Sequence, residues 1–146
     1  MGSTFYGCYK IKELDIAHSN WKYGTFVLAN GTSHFNYMCG YCHSLKKVDI
    51  SNFDVTAIER NNYGSNGTTY TNFYENQMLE SLILPSTFAG RLNVRYNYMM
   101  SHDELVRLIN ALPTALSGAT LVITEMRYKL TTAEIAVATN KGYTVS

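Results

Sequence analysis

The sequence has little charge, only 2 prolines, 1 tryptophan and 3 cysteines, and no long apolar run. Charged residues make up 16% of the 146 residues, and the formal net charge is +1. Phosphate binding needs clustered Lys and Arg, so we expect no nucleic-acid partner. A membrane helix needs roughly 20 apolar residues in succession, and no signal-peptide pattern opens the chain, so we expect no membrane insertion. Three cysteines cannot all pair, which excludes a disulfide scaffold and leaves their redox state open.

Apolar residues, tyrosine and asparagine are abundant. The apolar fraction of 46% together with the low net charge predicts a folded chain, and its length fits one domain. There are 12 tyrosines and 13 asparagines. Tyrosine supplies large, stiff, amphipathic contact area, and asparagine supplies adaptable hydrogen bonds. This composition fits either a loop-rich protein with half-buried tyrosine rings or a recognition surface.

Three segments of the chain align without gaps at a spacing of 34 residues (39 − 5 and 73 − 39). They begin at Phe5, Cys39 and Phe73. Each contains the apolar-x-x-apolar-x-apolar pattern that is typical of the strand in a leucine-rich repeat. Alternate strand side chains enter one core, and a single repeat cannot bury them alone. We therefore predict a short parallel ladder in which these triplets stack: Ile11, Leu14 and Ile16; Leu45, Val48 and Ile50; Leu79, Leu82 and Leu84.

Two weaker units follow the three repeats. Leu121 and Ile123 share the strand phase, and Tyr143 and Val145 repeat it near the end of the sequence. We expect one α/β domain over residues 1–146, a short leucine-rich-repeat solenoid with a parallel strand ladder. Its repeats lie near 5–38, 39–72 and 73–117, and capping units occupy 118–146. We expect the segments that connect the first strands to be irregular and those of the C-terminal half to be helical.

Two capping boxes predict the helices of the C-terminal half. Ser101 with Glu104 begins the first helix, and Thr131 with Glu134 begins the second. Gly142 supplies a left-handed residue after the end of the second helix. Strand–helix–strand order here predicts parallel pairing with right-handed crossovers. The first helix carries one apolar stripe at i, i+3, i+4 and i+7: Leu105, Leu108, Ile109 and Leu112.

The repeat unit resembles BspA-like leucine-rich repeats, which read roughly Met-Phe-x-Gly-Cys-x-Ser-Leu-x-x-Leu-Asp-Leu-Ser. Residues 4–16 and 44–51 follow this template. Residues 130–145 are similar to C-terminal units of such proteins in gut Bacteroidetes and their phages. The third repeat departs from the template, with Asn76 and Ile83 at the Cys and Asp positions. The resemblance implies adhesion or ligand recognition at a bacterial or viral surface, without catalysis.

The segment Cys39-Gly-Tyr-Cys42-His43 is the strongest candidate for chemistry. As Cys-x-x-Cys-His it matches the attachment sequence of c-type haem, with His43 as the proximal ligand. As a bare Cys-x-x-Cys it also fits a redox dithiol or half of a zinc site. The candidate sixth haem ligands are Met38, Met99 and Met100.

The repeat phase favours a packing role for the same cysteines. Cys42 is in phase with Cys8, and Cys39 is in phase with Phe5 and Phe73, which are core positions. A free cysteine behaves as a small buried apolar residue. We therefore predict no enzyme activity, no cofactor and no metal site. A disulfide between Cys8 and Cys42 stays open, because in-phase residues on adjacent coils lie about 5 Å apart.

Two surfaces are candidates for ligand binding. Strand positions between the core residues point onto the open sheet face, which is the usual recognition surface of repeat proteins. Tyr/Asn-rich loops at 63–74 and 96–98 rim the stack and supply aromatic anchors. The sequence alone does not decide whether a ligand binds to the sheet face or to the rim formed by these loops. The candidate ligand-binding residues are Lys12, Glu13, Asp15, Lys46, Lys47, Asp49, Glu80, Ser81, Tyr63 and Tyr70.

These observations favour a non-enzymatic binding module for a protein or glycan ligand, at a bacterial surface or on a phage particle. The expected location is extracellular or on a virion. The alternative is an assembly domain that stacks on another chain through an uncapped N-terminal edge, because the sequence shows no polar N-terminal cap. Self-association or contact with a longer parent protein would occur at that edge.

Overall fold

The chain alternates short strands with turns and adds helices toward its end. The structure is a computed structural model that describes residues 5–15, 39–52 and 71–146. The first strands are β1 (Glu13–Asp15), β2 (Lys47–Asp49), β3 (Thr71–Asn72) and β4 (Ser81–Ile83). They are followed by β5 (Leu92–Asn93), β6 (Thr120–Val122) and β7 (Thr144–Val145). The helices are α1 (His102–Ala111) and α2 (Thr132–Asn140), with a 3-10 helix at Thr124–Lys129 between them.

The strands form two small parallel sheets, with the orders β1-β2-β4 and β3-β5-β6-β7. In the first sheet Leu14 pairs with Val48, and Val48 pairs with Leu82. This confirms the predicted register of the three in-phase residues. Val48 and Leu82 are fully buried, and burial of each such side chain contributes roughly 1.5–3 kcal/mol. The expected α/β class with parallel strands is confirmed.

The second sheet contains two strands that the sequence analysis does not predict, since β3 lies in the segment interpreted as a loop at 63–74 and β5 lies outside the 34-residue spacing. Strand β5 pairs with β3 on one side and with β6 on the other. Leu121 therefore lies beside Leu92, not beside Leu82, and the ladder expected along the chain is divided between two sheets. The chain passes from the second sheet to the first between β3 and β4.

Four turns of the chain, at residues 5–11, 39–45, 73–79 and 94–100, share one conformation. The third residue of each has a positive φ between 58° and 69°. Such a conformation is strained for any residue other than glycine. The backbone N–H at this position in each of the first three turns donates to a carbonyl of the next turn, at 2.9 to 3.2 Å. The residues at the third position of the four turns are Gly7, Tyr41, Glu75 and Tyr96.

The residues after the positive-φ positions of the second, third and fourth turns, which are Cys42, Asn76 and Asn97, form a buried hydrogen-bonded ladder. Asn76 Oδ1 accepts from the N–H of Cys42 at 2.8 Å, and Asn97 Oδ1 accepts from the N–H of Asn76 at 2.9 Å. Both side-chain amides donate to the carbonyl of Phe73. Asn76 and Asn97 are fully buried. Each asparagine thus satisfies backbone groups that would otherwise be unpaired inside the stack.

Helix α1 occupies the edge of the first sheet beside β4. Glu104 Oε1 accepts from the N–H of Leu82 at 2.8 Å, and Arg107 Nη2 donates to the carbonyl of Leu82 at 2.7 Å. These two bonds take the place of the two backbone hydrogen bonds that a neighbouring strand would make with Leu82. Ser101 Oγ accepts from the N–H of Glu104 as predicted. A capping box also requires the Glu104 carboxylate to accept from the N–H of Ser101. This part of the prediction is wrong, because the Glu104 carboxylate bonds Leu82 and Arg107 instead.

Side chains at both ends tie α2 to α1. The predicted capping box of Thr131 and Glu134 is confirmed, and Gly142 has the predicted positive φ. His102 Nε2 lies 2.9 Å from Glu134 Oε1, and the carboxylates of Asp103 and Glu134 raise the pKa of His102. Lys141 Nζ donates to three carbonyls at the end of α1, those of Ile109, Asn110 and Leu112. Within the described residues, no helix has both the length and the apolarity needed to cross a membrane.

The ladder predicts a large effect of Asn76→Leu on stability. The substitution leaves the N–H of Cys42 and the carbonyl of Phe73 with fewer partners, and a buried unpaired polar group costs about 1–3 kcal/mol. We expect the free energy of unfolding, measured by urea titration with circular dichroism, to fall by about 2–4 kcal/mol. The matched control is Gln77→Leu at the exposed neighbouring position, with an expected change below about 0.5 kcal/mol. Equal effects of the two variants would contradict the ladder.

The edge contact of α1 predicts a pH-dependent contribution from Glu104. Burial acts to raise the pKa of Glu104, but hydrogen bonds from Arg107 and the N–H of Leu82 outweigh it, so the pKa is lowered. At pH 7 we expect Glu104→Gln to lower the free energy of unfolding by about 1–3 kcal/mol. Because the folded pKa lies below the unfolded value, this contribution is present above the unfolded pKa and is lost as pH falls through the folded pKa.

Urea titrations of wild type and Glu104→Gln between pH 7 and pH 3 measure the contribution of Glu104 to the free energy of unfolding. The control is Glu80→Gln, whose exposed pair with Lys46 is worth at most about 1 kcal/mol. A difference between wild type and Glu104→Gln that grows as the pH falls would contradict the assigned direction.

Candidate functional site

Eight of the ten predicted ligand-binding residues lie in the described part of the chain, and all eight are on the first sheet or directly before its strands. Tyr63 and Tyr70 lie outside the described residues. The strands β1, β2 and β4 place the eight in neighbouring rows. The eight residues are Lys12, Glu13, Asp15, Lys46, Lys47, Asp49, Glu80 and Ser81.

Three of the charged residues on this strand face, Lys46, Glu80 and Asp49, have hydrogen-bond partners. Lys46 Nζ lies 3.1 Å from Glu80 Oε1, and both side chains are about half exposed. Asp49 Oδ1 accepts from the N–H of Ser51 at 3.1 Å, which stabilises the turn after β2. Asp15 lies beside Asp49 in register. The face is therefore of mixed charge, and at least Asp49 has a structural role.

A group of exposed and partly exposed rings, which we call the aromatic row, crosses the first three turns. The Tyr41 ring centroid lies 5.2 Å from that of Tyr6 and 4.9 Å from that of Tyr74, both edge to face. His43 lies 5.4 Å from Tyr9 and 6.3 Å from Tyr41. Tyr6 and Tyr9 are 47% and 61% exposed. The aromatic row consists of Tyr6, Tyr9, Tyr41, His43 and Tyr74.

The stacking of the turns creates this row. Tyr6, Gly40 and Tyr74 occupy the same position in successive turns, so the glycine lies between two rings. A Cβ at Gly40 would come within 3.4 Å of the Tyr6 ring and 3.5 Å of the Tyr74 ring. The fourth turn adds Tyr96 and Tyr98, whose centroids are 6.2 Å apart. The exposed side chain of Met99 follows Tyr98 on this turn.

Sequence reasoning found only part of this surface. The loop at 96–98 and the end of the loop at 63–74 were predicted to rim the stack, and Tyr74, Tyr96 and Tyr98 lie there. The contribution of Tyr6, Tyr9, Tyr41 and His43 was missed. A signal was present, since the 34-residue spacing relates Tyr6 to Tyr74 through Gly40 and relates Tyr9 to His43 directly.

The cysteines of the Cys-x-x-Cys-His segment are core residues, as the repeat phase predicts. Cys39 and Cys42 are buried, and burial raises the pKa of both thiols. Cys42 Sγ donates to the carbonyl of Phe5 at 2.7 Å. His43 is exposed and contacts the aromatic row. All three cysteines are free thiols, and within the described ranges no three His, Cys, Asp or Glu side chains are grouped to hold a metal ion.

Comparison of the chain with family models, with curated proteins and with solved structures finds no match. The described residues define a mixed α/β protein with two small parallel sheets and an aromatic row that is exposed in part. The N-terminal edge suggested for assembly is β1, and its flanking residues 1–4 and 16–38 lie outside the described part of the chain.

The burial of the cysteines predicts a sharp difference in thiol reactivity. The thiolate is the reactive form, so buried thiols with a raised pKa react slowly, whereas Cys8 is partly exposed. In the native protein we expect a maleimide, which alkylates thiols irreversibly, to label one thiol per chain within minutes, and all three in denaturant. Peptide mapping should place the fast label on Cys8. The variant Cys8→Ser should have no fast thiol, and rapid labelling of native Cys39 would contradict the packing role.

Proposed function

We propose that this chain is a non-enzymatic recognition module of the leucine-rich-repeat type that binds a protein partner through its aromatic row. The observation that carries the proposal is the contact of tyrosine rings across successive turns, from the exposed Tyr6 through the partly exposed Tyr41 to the partly exposed Tyr74. Tyrosine is enriched at energetic hot spots of interfaces, because it provides a large contact area with only two side-chain torsions to fix.

The repeat character of the proposal is supported by the four equivalent turns. Each has a positive-φ residue at its third position, and neighbouring turns are joined by backbone and asparagine hydrogen bonds. In a solenoid, each unit contacts its neighbours and the units together bury a continuous core. The BspA-like resemblance of residues 4–16 and 44–51 points to the same architecture, and with it to a bacterial surface or a phage particle.

A rigid backbone under the row favours binding. Tyr41 itself holds a strained positive φ, and its N–H donates to the carbonyl of Tyr74. The backbone that carries these rings is therefore already ordered before a partner binds. Groups that are already ordered lose less conformational entropy on binding, which raises affinity without adding contacts.

The rim of the stack, which is formed by the aromatic row and the fourth turn, is a better candidate for the binding site than the face of the first sheet. On the face, Lys46 pairs with Glu80, and Asp49 bonds the turn after its own strand. Exposed charge pairs of this kind contribute little to affinity. On the rim, Tyr6, Tyr9 and Met99 expose large apolar surfaces. Methionine adapts its shape to a partner, and together with tyrosine it favours a protein ligand.

The test compares variants of the rim, of the face and of a distant site. The double variant Tyr6→Ala/Tyr9→Ala removes the two exposed tyrosine rings of the row, and Lys46→Ala/Glu80→Ala removes the face pair. Tyr128→Ala is the matched control, since Tyr128 is 79% exposed and lies outside the row. The probes are a solubilised bacterial envelope protein fraction and a glycan array. Any captured protein is purified, and its Kd is measured.

We expect one purified protein to bind wild type and the Tyr128 variant with equal Kd. The row variant should weaken binding by about 10-fold or more, since loss of a hot-spot tyrosine costs at least about 1–2 kcal/mol. A loss confined to the face variant would overturn the rim as the binding site. Glycan binding without protein binding would overturn the partner class.

A further inference from the structure

We propose that Cys8 and Cys42 form a disulfide bond under oxidising conditions, and that this bond braces the first turn of the chain against the second. It would be a redox-dependent modification site. The inference does not depend on the proposed function, because it concerns the contact between two turns and not the ligand.

The hydrogen bonds place the two cysteines next to each other. The carbonyl of Phe5 accepts both from the N–H of Cys8 at 3.2 Å and from Cys42 Sγ at 2.7 Å. The N–H of Gly7 donates to the carbonyl of Gly40 at 3.0 Å, which sets the two turns in register. The Cys42 side chain is therefore directed at the turn that contains Cys8, and its sulfur shares a carbonyl partner with the Cys8 N–H.

The spacing between equivalent residues suits a disulfide. Cys8 and Cys42 hold the fourth position of adjacent turns, and chains joined by sheet-like hydrogen bonds lie about 4.7–4.9 Å apart. Disulfides are found at Cα separations of about 4.4–6.8 Å. Cys39 differs, because Phe5 and Phe73 occupy the equivalent position in its neighbouring turns. The register therefore pairs Cys42 and not Cys39 with Cys8.

Exposure determines the order of the steps. Cys8 is partly exposed, whereas Cys42 is buried, so an oxidant meets Cys8 first. With a low-molecular-weight disulfide as oxidant, the Cys8 thiolate attacks one of its sulfurs, forms a mixed disulfide and releases one thiol. The Cys42 thiolate then attacks the sulfur of Cys8, and the second thiol leaves. Two electrons and two protons pass from the protein thiols to the oxidant, which is reduced to two thiols.

Oxidised glutathione serves as the probe, and the full chain is used in its folded state. After incubation, free thiols are blocked, and proteolytic peptides are analysed by tandem mass spectrometry. We expect a cross-linked pair that contains Cys8 and Cys42, with Cys39 recovered as the blocked thiol. The oxidised protein should unfold about 10 °C higher than the reduced one, and dithiothreitol should reverse the shift.

Three variants separate the assignment from its alternatives. Cys39→Ala should still form the cross-link, whereas Cys8→Ser and Cys42→Ser should not, and circular dichroism verifies that each is folded. A link between Cys8 and Cys39 would overturn the assignment. So would a reaction that stops at the glutathione adduct of Cys8 in both wild type and Cys39→Ala. A cross-link that forms but lowers the unfolding temperature would overturn the bracing role.

Discussion

Hydrogen bonds between successive turns are the constraint on which the rest of this structure depends. Turns that stack in register enclose backbone N–H groups that water cannot reach, and each needs an acceptor from the neighbouring turn. Asn76 is central, because its side chain accepts from Cys42 and its own N–H donates to Asn97. Cys42 plays a parallel role one turn earlier, where its thiol donates to the carbonyl of Phe5. Asn97 donates to the carbonyl of Phe73 in the same way.

The same requirement for partners explains how the first sheet ends. Strand β4 has an edge whose N–H and carbonyl need partners, and α1 supplies them with one carboxylate and one guanidinium. The helix thereby joins the strand-rich part of the chain to the helical part. Lys141 and the His102–Glu134 contact then hold α2 against α1. A stack that ends on a helix is protected from further strand pairing at that edge.

Periodicity made part of this arrangement predictable from sequence. The 34-residue spacing was sufficient to pair Leu14, Val48 and Leu82, and the same phase predicted that Cys39 and Cys42 are buried. Strand β5 was missed because the spacing shortens there to 21 residues, as between Asn76 and Asn97, and two strand residues carry almost no periodic signal. The role of Glu104 was missed for another reason. A capping-box sequence reads the same whether the carboxylate turns back to its own helix or reaches a neighbouring strand.

The aromatic row forms because equivalent positions of successive turns lie side by side. One or two tyrosines per turn give no clear signal in the sequence, and Gly40 interrupts the pattern, yet the glycine leaves the space between Tyr6 and Tyr74. The row exists only if the turns are in register, so the register is the claim to test first. Methyl–methyl nuclear Overhauser effects on leucine- and valine-labelled protein measure it directly. The stack predicts cross-peaks from Val48 to both Leu14 and Leu82 and none between Leu14 and Leu82. A direct Leu14–Leu82 cross-peak, or the absence of Val48–Leu82, would contradict it.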